Sequence, residues 1–182
     1  MRVIAGKARG IQLQTPQGML TRPTTDRVKE ALFSILQFEL PSAKVLDLFG
    51  GTGQLGIEAL SRGASRAVFV DSRREACQLI RSNLKKTQLE QDAVVIQRDY
   101  MDYLNQCHEQ FRLILLDPPY AEVFLENSIK KITEIDILQS NGIIATERPL
   151  GKELPWEFPG FTRSKDYKYG QILLTFYRKN EE

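Results

Sequence analysis

The sequence predicts an α/β fold: a mainly parallel sheet with helices on both faces, preceded by a small N-terminal β-hairpin and ended by a C-terminal antiparallel hairpin. Three observations predict it. From Lys44 onward, short apolar runs alternate with stretches of helical periodicity, the pattern of successive strand–helix–strand units. The runs VLDLF, AVFVD and LILLD are nearly continuous in their apolar character, as strands covered on both faces must be. The first run leads directly into a glycine-rich turn, FGGTGQLG at 49–56, that opens a helix. With 182 residues, 42% of them hydrophobic, the chain suits one compact domain with a small appendage.

In order along the chain, RVIA and IQLQ read as two short strands joined by a turn from Gly6 to Gly10, and Pro16, Gln17 and Gly18 form a second turn. Residues 1–20 are expected to form a hairpin arm and residues 21–182 the main domain. Val28, Ala31, Leu32, Ile35 and Leu36 recur at helical spacing, with Pro23 and a Thr24 or Thr25 cap marking the start. The alternation then runs VLDLF and a helix through Leu60, AVFVD and a helix through Leu84, AVVIQ and a short helical piece, LILLD and a helix through Ile135, and finally GIIATE. Residues 152–159, with Pro155, Trp156 and Pro159, read as an irregular loop. Residues 161–166 and 171–177 are strand-like around Gly170 and form the terminal hairpin.

Composition excludes several function classes. No apolar run approaches the roughly 18 residues of a membrane span, and MRVIAGKARG lacks the apolar core of a secretory signal, so a cytoplasmic location is expected. Two cysteines, Cys77 and Cys107, and a single histidine, His108, supply neither a disulfide framework nor a His/Cys zinc site, and no metal is expected. The net charge of +2 argues for no partner, but residues 1–25 contain no acidic side chain and carry Arg2, Lys7, Arg9 and Arg22. Such a basic lobe is either a docking surface for a polyanion or a solvated hairpin with incidental charge.

Gly51, Gly53 and Gly56 have the G-x-G-x-x-G spacing of a dinucleotide fingerprint, and Asp71 ends the next strand 18 positions after Gly53. In that context a carboxylate grips ribose hydroxyls, so a nucleoside-containing ligand is expected. A pyrophosphate on the helix N-terminus would lie close to Asp47, which would repel it. S-adenosylmethionine fits better, because its ammonium and sulfonium make that carboxylate an asset and it carries no phosphate. The glycines then permit close backbone approach to its amino-acid end. Asp99, after the third strand, either meets an adenine amine or caps the helix that follows.

The tetrad DPPY, residues 117–120, ends the fourth strand, where open α/β sheets place their chemistry. Pro118 and Pro119 fix φ and supply no N–H, so their carbonyls are held rigidly. An exocyclic base amine is a poor nucleophile until acceptors hold both its N–H bonds. Asp117 and the Pro118 carbonyl are candidates for those acceptors, with Tyr120 stacking on the base. The bland alternative is a strand ended by a Pro-Pro turn.

VLDLFGGTGQLGIEAL at 45–60 together with DPPY resembles the class I, Rossmann-like S-adenosylmethionine-dependent methyltransferases of the amino-group type. RVIAGKARGIQL at 2–13 and RPTTDRVKEALFSIL at 22–36 resemble the RsmD family of bacterial 16S ribosomal RNA guanine-N2 methyltransferases, and the similarity extends to about Tyr177. A monomer is expected. The resemblance implies methylation of a single guanine of 16S rRNA within the small ribosomal subunit or its assembly intermediates. It implies that Asp47, Phe49, Gly50, Gly51, Thr52 and Gly53 line the cofactor's methionine side, Asp71 its ribose, and Asp99 and Tyr100 its adenine. Asp117, Pro118, Pro119 and Tyr120 would hold the flipped guanine. Arg2, Lys7, Arg9, Arg22, Thr24 and Arg27 would contact RNA. The chain departs from the family in one place: Ile11 and Gln12 follow Arg9-Gly10 where basic residues are common, so a weaker arm is expected. The rival readings are a methyltransferase for adenine N6 or cytosine N4 on DNA or another RNA, and a nicotinamide oxidoreductase or silent nucleotide-binding module.

Overall fold

The computed structural model describes residues 1–16, 26–119, 122–151 and 153–180. After the N-terminal segment come α1 (Asp26–Ile35), β1 (Lys44–Asp47), α2 (Gln54–Ser61), β2 (Arg66–Asp71), α3 (Arg74–Thr87) and β3 (Ala93–Gln97). The second half holds α4 (Tyr100–Asn105), β4 (Phe111–Leu116), α5 (Glu122–Ile135), β5 (Leu138–Pro149), β6 (Glu157–Phe158), β7 (Phe161–Arg163), β8 (Tyr167–Tyr169) and β9 (Ile172–Lys179). The sheet order is β3-β2-β1-β4-β5-β9-β7-β6, with β8 also on β9. Strands β1 to β5 pair parallel, and β9 joins antiparallel to β5. This is the α/β class that the alternating runs predict.

Side-chain alternation sends each strand's residues into two cores. Val45, Phe69, Leu113, Leu115 and Ala145 pack with α1, α2, α3 and the N-terminal segment, while Leu46, Val70, Ile114 and Leu116 pack with α4 and α5. The strand order reverses between β1 and β4, so their carboxyl ends open a crevice.

Four details differ from the sequence reading. The two N-terminal strands reduce to a single antiparallel bridge, Arg2 with Gln12: Val3 N–H donates to Ile11 and Leu13 N–H to Met1 across the hairpin, but the amides of Ile4, Ala5, Lys7 and Ala8 are taken by another element. Ile4 and Ala5 donate to the Glu58 carboxylate at 2.8 and 3.0 Å, Ala8 donates to Ser61 Oγ at 2.9 Å, and Lys7 donates to the Ser61 carbonyl. β5 begins before the GIIATE run, with a register irregularity opposite β4 between Phe111 and Leu113. The loop expected over 152–159 contains β6, which pairs with β7. The terminal hairpin is split: β7 covers one end of β9 and β8 the other, and between them Asp166 binds Thr175 Oγ1 at 2.7 Å.

The N-terminal segment is fastened to the domain by buried charge. Glu58 and Lys29 are both fully buried, 3.6 Å apart, and Lys29 Nζ also donates to the Arg2 carbonyl at 2.5 Å. Arg62 completes the cluster at 2.8 Å. Burial pushes the Lys29 pKa below its ordinary value, against the opposing pull of Glu58. A second link is Asn83, fully buried, which exchanges hydrogen bonds with the Gln14 backbone and donates to the Thr52 carbonyl in the glycine turn.

Candidate functional site

A cleft of about 500 Å³ lies over the carboxyl ends of β1, β2, β4 and β5. Its floor is the glycine turn. Gly51 and Gly53 adopt φ of 55° and 80°, left-handed values that cost an L residue strain, so the chain can reverse tightly from β1 into α2. Gly56 has ordinary φ and a different reason to be glycine: a Cβ there would sit 2.2 Å from the Phe69 ring. That glycine sets the distance between α2 and the sheet. Gly50 packs likewise, on Ile80.

Two carboxylates brace the turn. Asp47, 1% exposed, accepts from the Gly56 N–H at 3.0 Å and so satisfies one of α2's open amides. Burial raises its pKa to about 7, opposed by the Gly56 bond and assisted by the nearby Asp71 charge. Asp71 accepts from the Gly51 N–H at 2.9 Å, from the Arg73 N–H at 2.9 Å and from the Arg73 guanidinium at 3.2 Å. The sequence reading placed Asp71 on a ribose and did not foresee Arg73; the i, i+2 spacing after a strand end was its only signal.

Gln54, the first residue of α2, is 9% exposed and lines the cleft, and its Oε1 is buried with no hydrogen-bond partner among the described residues. An orphaned buried carbonyl costs about 1–3 kcal/mol, so a ligand donor that meets it gains correspondingly. Gln54 lies inside FGGTGQLG, yet its type gave no cue. Thr52 is buried beside it and donates to the Met1 sulfur at 3.4 Å, so the N-terminal segment also walls the cleft.

Phe49 and Tyr100 form an aromatic wall, with ring centroids 5.2 Å apart, joined by Phe124 of α5 at 6.2 and 5.4 Å. Phe124 escaped the sequence reading because its helix shows only amphipathic periodicity. Asp99 does cap α4: its Oδ1 accepts from Met101 N at 2.8 Å and Asp102 N at 3.4 Å, at the cleft edge.

Asp117 and Pro118, half-buried, and Pro119, exposed, line the cleft at the end of β4. Glu147, at the end of β5, lines the same wall. Tyr120, Arg22 and Thr24 lie outside the described residues. Lys7, Arg9 and Arg27 are exposed and are not part of the cleft lining, and Arg2 pairs with Asp26 at 3.2 Å on the surface. Among the described residues no group of three or more acidic, histidine or cysteine side chains could hold a metal, and no helix is long and apolar enough to cross a membrane.

Comparison with known proteins places this geometry. The family described as Conserved hypothetical protein 95 matches residues 1–178. YlbH of Bacillus subtilis is 38% identical over 182 residues, covering 98% of this chain and 99% of its own. The ribosomal RNA small subunit methyltransferase D of Escherichia coli is 31% identical over 182 residues, covering 100% of this chain and 91% of its own. The solved structure of Escherichia coli yhhF superposes with a TM-score of 0.90 at 29% identity, covering 100% of this chain and 99% of that one. With a match over nearly its whole length and the glycine turn and Asp-Pro-Pro wall facing one cleft, the chain belongs to the RsmD family of ribosomal RNA methyltransferases.

Proposed function

We propose that this protein transfers the methyl group of S-adenosylmethionine to the exocyclic N2 of a single guanine of 16S rRNA, in the assembled or assembling small ribosomal subunit of the cytoplasm. The observation that carries the cofactor assignment is the occupation of the turn's amides. Gly51 N–H already donates to Asp71 and Gly56 N–H to Asp47. A pyrophosphate needs such donors and would meet two carboxylates instead, which argues against a nicotinamide dinucleotide. A ligand bearing an ammonium and ribose hydroxyls fits the acceptors present: Asp47 and the unmatched Gln54 Oε1 for the ammonium, Asp71 for the ribose. The aromatic wall of Phe49, Tyr100 and Phe124 suits an adenine. When bound, the cofactor supplies an electrophilic methyl on a sulfonium.

The chain's own residues do the rest. The lone pair of a guanine amine is delocalised into the ring; Asp117 and the Pro118 carbonyl accept its two N–H bonds and favour a more tetrahedral nitrogen aimed into the cleft. Proline geometry fixes that carbonyl. As the new N–C bond forms, one N–H bond must break, and Asp117 is the acceptor placed to take the proton. The base has to leave its stack to reach this wall; Tyr120, next in the chain, is assigned to its face. Lys7, Arg9 and Arg27 are assigned to phosphates. The name of the Escherichia coli relative supports the same substrate class.

The test is transfer of labelled methyl to small ribosomal subunits, naked 16S RNA and DNA, followed by nucleoside analysis. N2-methylguanosine from particles is the expected product. Label confined to DNA, or recovered as N6-methyladenine, would refute the substrate assignment.

A further inference from the structure

In the parallel β4–β5 pair, Leu116, the last residue of β4, stands opposite Thr146, and Asp117 and Glu147 are the residues that follow these two. Glu147, still within β5, falls on the face of Ala145 by alternation, and both carboxyl side chains line the cleft. The strand end that carries Glu147 is pinned. Glu147 itself is paired with Leu174 of β9. Arg148, buried, points to the other face, where its Nε donates to Thr175 Oγ1 at 2.9 Å and its Nη2 to Asp166 at 2.6 Å.

The cleft therefore presents two carboxyl side chains where one, with a proline carbonyl, suffices to hold an amine. The chemistry of the amino bases says what the second can read. In adenine and cytosine the one ring nitrogen next to the exocyclic amine is an unprotonated acceptor; in guanine one of the two such neighbours, N1, carries a hydrogen. With the amine on Asp117, a carboxylate one strand away faces that ring position. We propose that Glu147 selects guanine, accepting its N1–H and repelling the bare ring nitrogen that adenine or cytosine presents. This inference rests on the guanine-N2 reading and deepens it.

The test uses small-subunit particles whose target guanine is replaced by 2-aminopurine or 2,6-diaminopurine. Both keep the 2-amino group and present an unprotonated N1. The full-length wild-type protein should prefer guanine by about a hundredfold in kcat/KM, since a site built to bond a donor rejects the analogue lacking it. Glu147→Ala should lower the guanine rate and bring the ratio to within about threefold of one, a change that loss of structure alone would not produce. Glu147→Gln keeps the side chain's shape and can turn its amide to offer either partner, so it should narrow the ratio too. A wild-type ratio near one, or an unchanged ratio in Glu147→Ala, overturns the proposal; the wild-type ratio decides even if both variants misfold. Absence of label on the target guanine itself, with label elsewhere in the particle, would instead refute the guanine-N2 reading and the proposal with it.

Discussion

On the β1–β2 side of the cleft each buried acid is already engaged by the chain itself: Asp47 by the Gly56 amide, Asp71 by Gly51 and Arg73, and Glu58 behind them by Ile4, Ala5, Lys29 and Arg62. On the β4–β5 side the wall is formed by Asp117, two prolines and Glu147 at the ends of adjacent strands. The first side is held by hydrogen bonds that also hold the fold. The second is stiffened by the two prolines and, next to Glu147, by the bonds of Arg148 to Thr175 and Asp166. Changes on the first side should therefore alter stability and cofactor binding together, whereas changes to the base-holding groups of the second should fall mainly on chemistry.

The largest stability loss should come from Glu58→Ala, which strands the Lys29 ammonium in the core; removing one partner of such a pair costs about 3–5 kcal/mol. Denaturant unfolding measures it, and a loss below about 1 kcal/mol would mean that the N-terminal segment is not fastened by this cluster. Gly56→Ala should follow, at about 1–3 kcal/mol for overpacking, because the new methyl meets the Phe69 ring and α2 must move. Weaker cofactor binding should accompany it, and unaltered affinity would detach the helix from the site.

Asp47→Asn sharpens the comparison through pH. The folded pKa, about 7, lies above the ordinary 3.8, so Asp47's contribution to stability is fully present below pH 4 and is lost as pH rises toward 7. The variant, whose amide oxygen can still accept from Gly56, should gain on the wild type over that window by on the order of a few kcal/mol. It should also weaken S-adenosylmethionine binding, whereas wild-type affinity rises with pH through 7 as the carboxyl ionises beside an ammonium. A stability difference that does not vary with pH would place an ionised Asp47 in the unliganded protein. The smallest effect is expected from Lys7→Ala with Arg9→Ala: a shallower salt dependence of particle binding, by roughly one to two units of slope, and unchanged unfolding.

Much of this architecture was legible in the sequence because burial on both faces writes itself as apolar runs, and because glycine and proline mark turns whatever surrounds them. The turn at 49–56 and the Asp-Pro-Pro at the end of β4 were legible for the same reason. What was not legible depends on distant partners. The bond from Ile4 to Glu58 crosses 54 positions, and nothing local announces that Ile4, Ala5, Lys7 and Ala8 will give their amides to α2. Glycines 51 and 53 serve backbone conformation and Gly56 serves packing, three positions of one motif with two physical reasons. Gln54 and Phe124 became visible only when the cleft brought them together. Glu147 carries no motif, and it shares a cleft with Asp117 because β5 lies beside β4.

The division of the cleft is tested most directly by one paired measurement on Asp117→Ala: equilibrium binding of S-adenosylmethionine, and single-turnover methyl transfer to unmodified small subunits. The account predicts affinity within about twofold of wild type and a transfer rate lower by about 10²–10³, the usual cost of removing an acceptor or donor that acts in the transition state. Transfer at the wild-type rate, or loss of cofactor binding along with it, would contradict a base-holding wall that is separate from the cofactor turn.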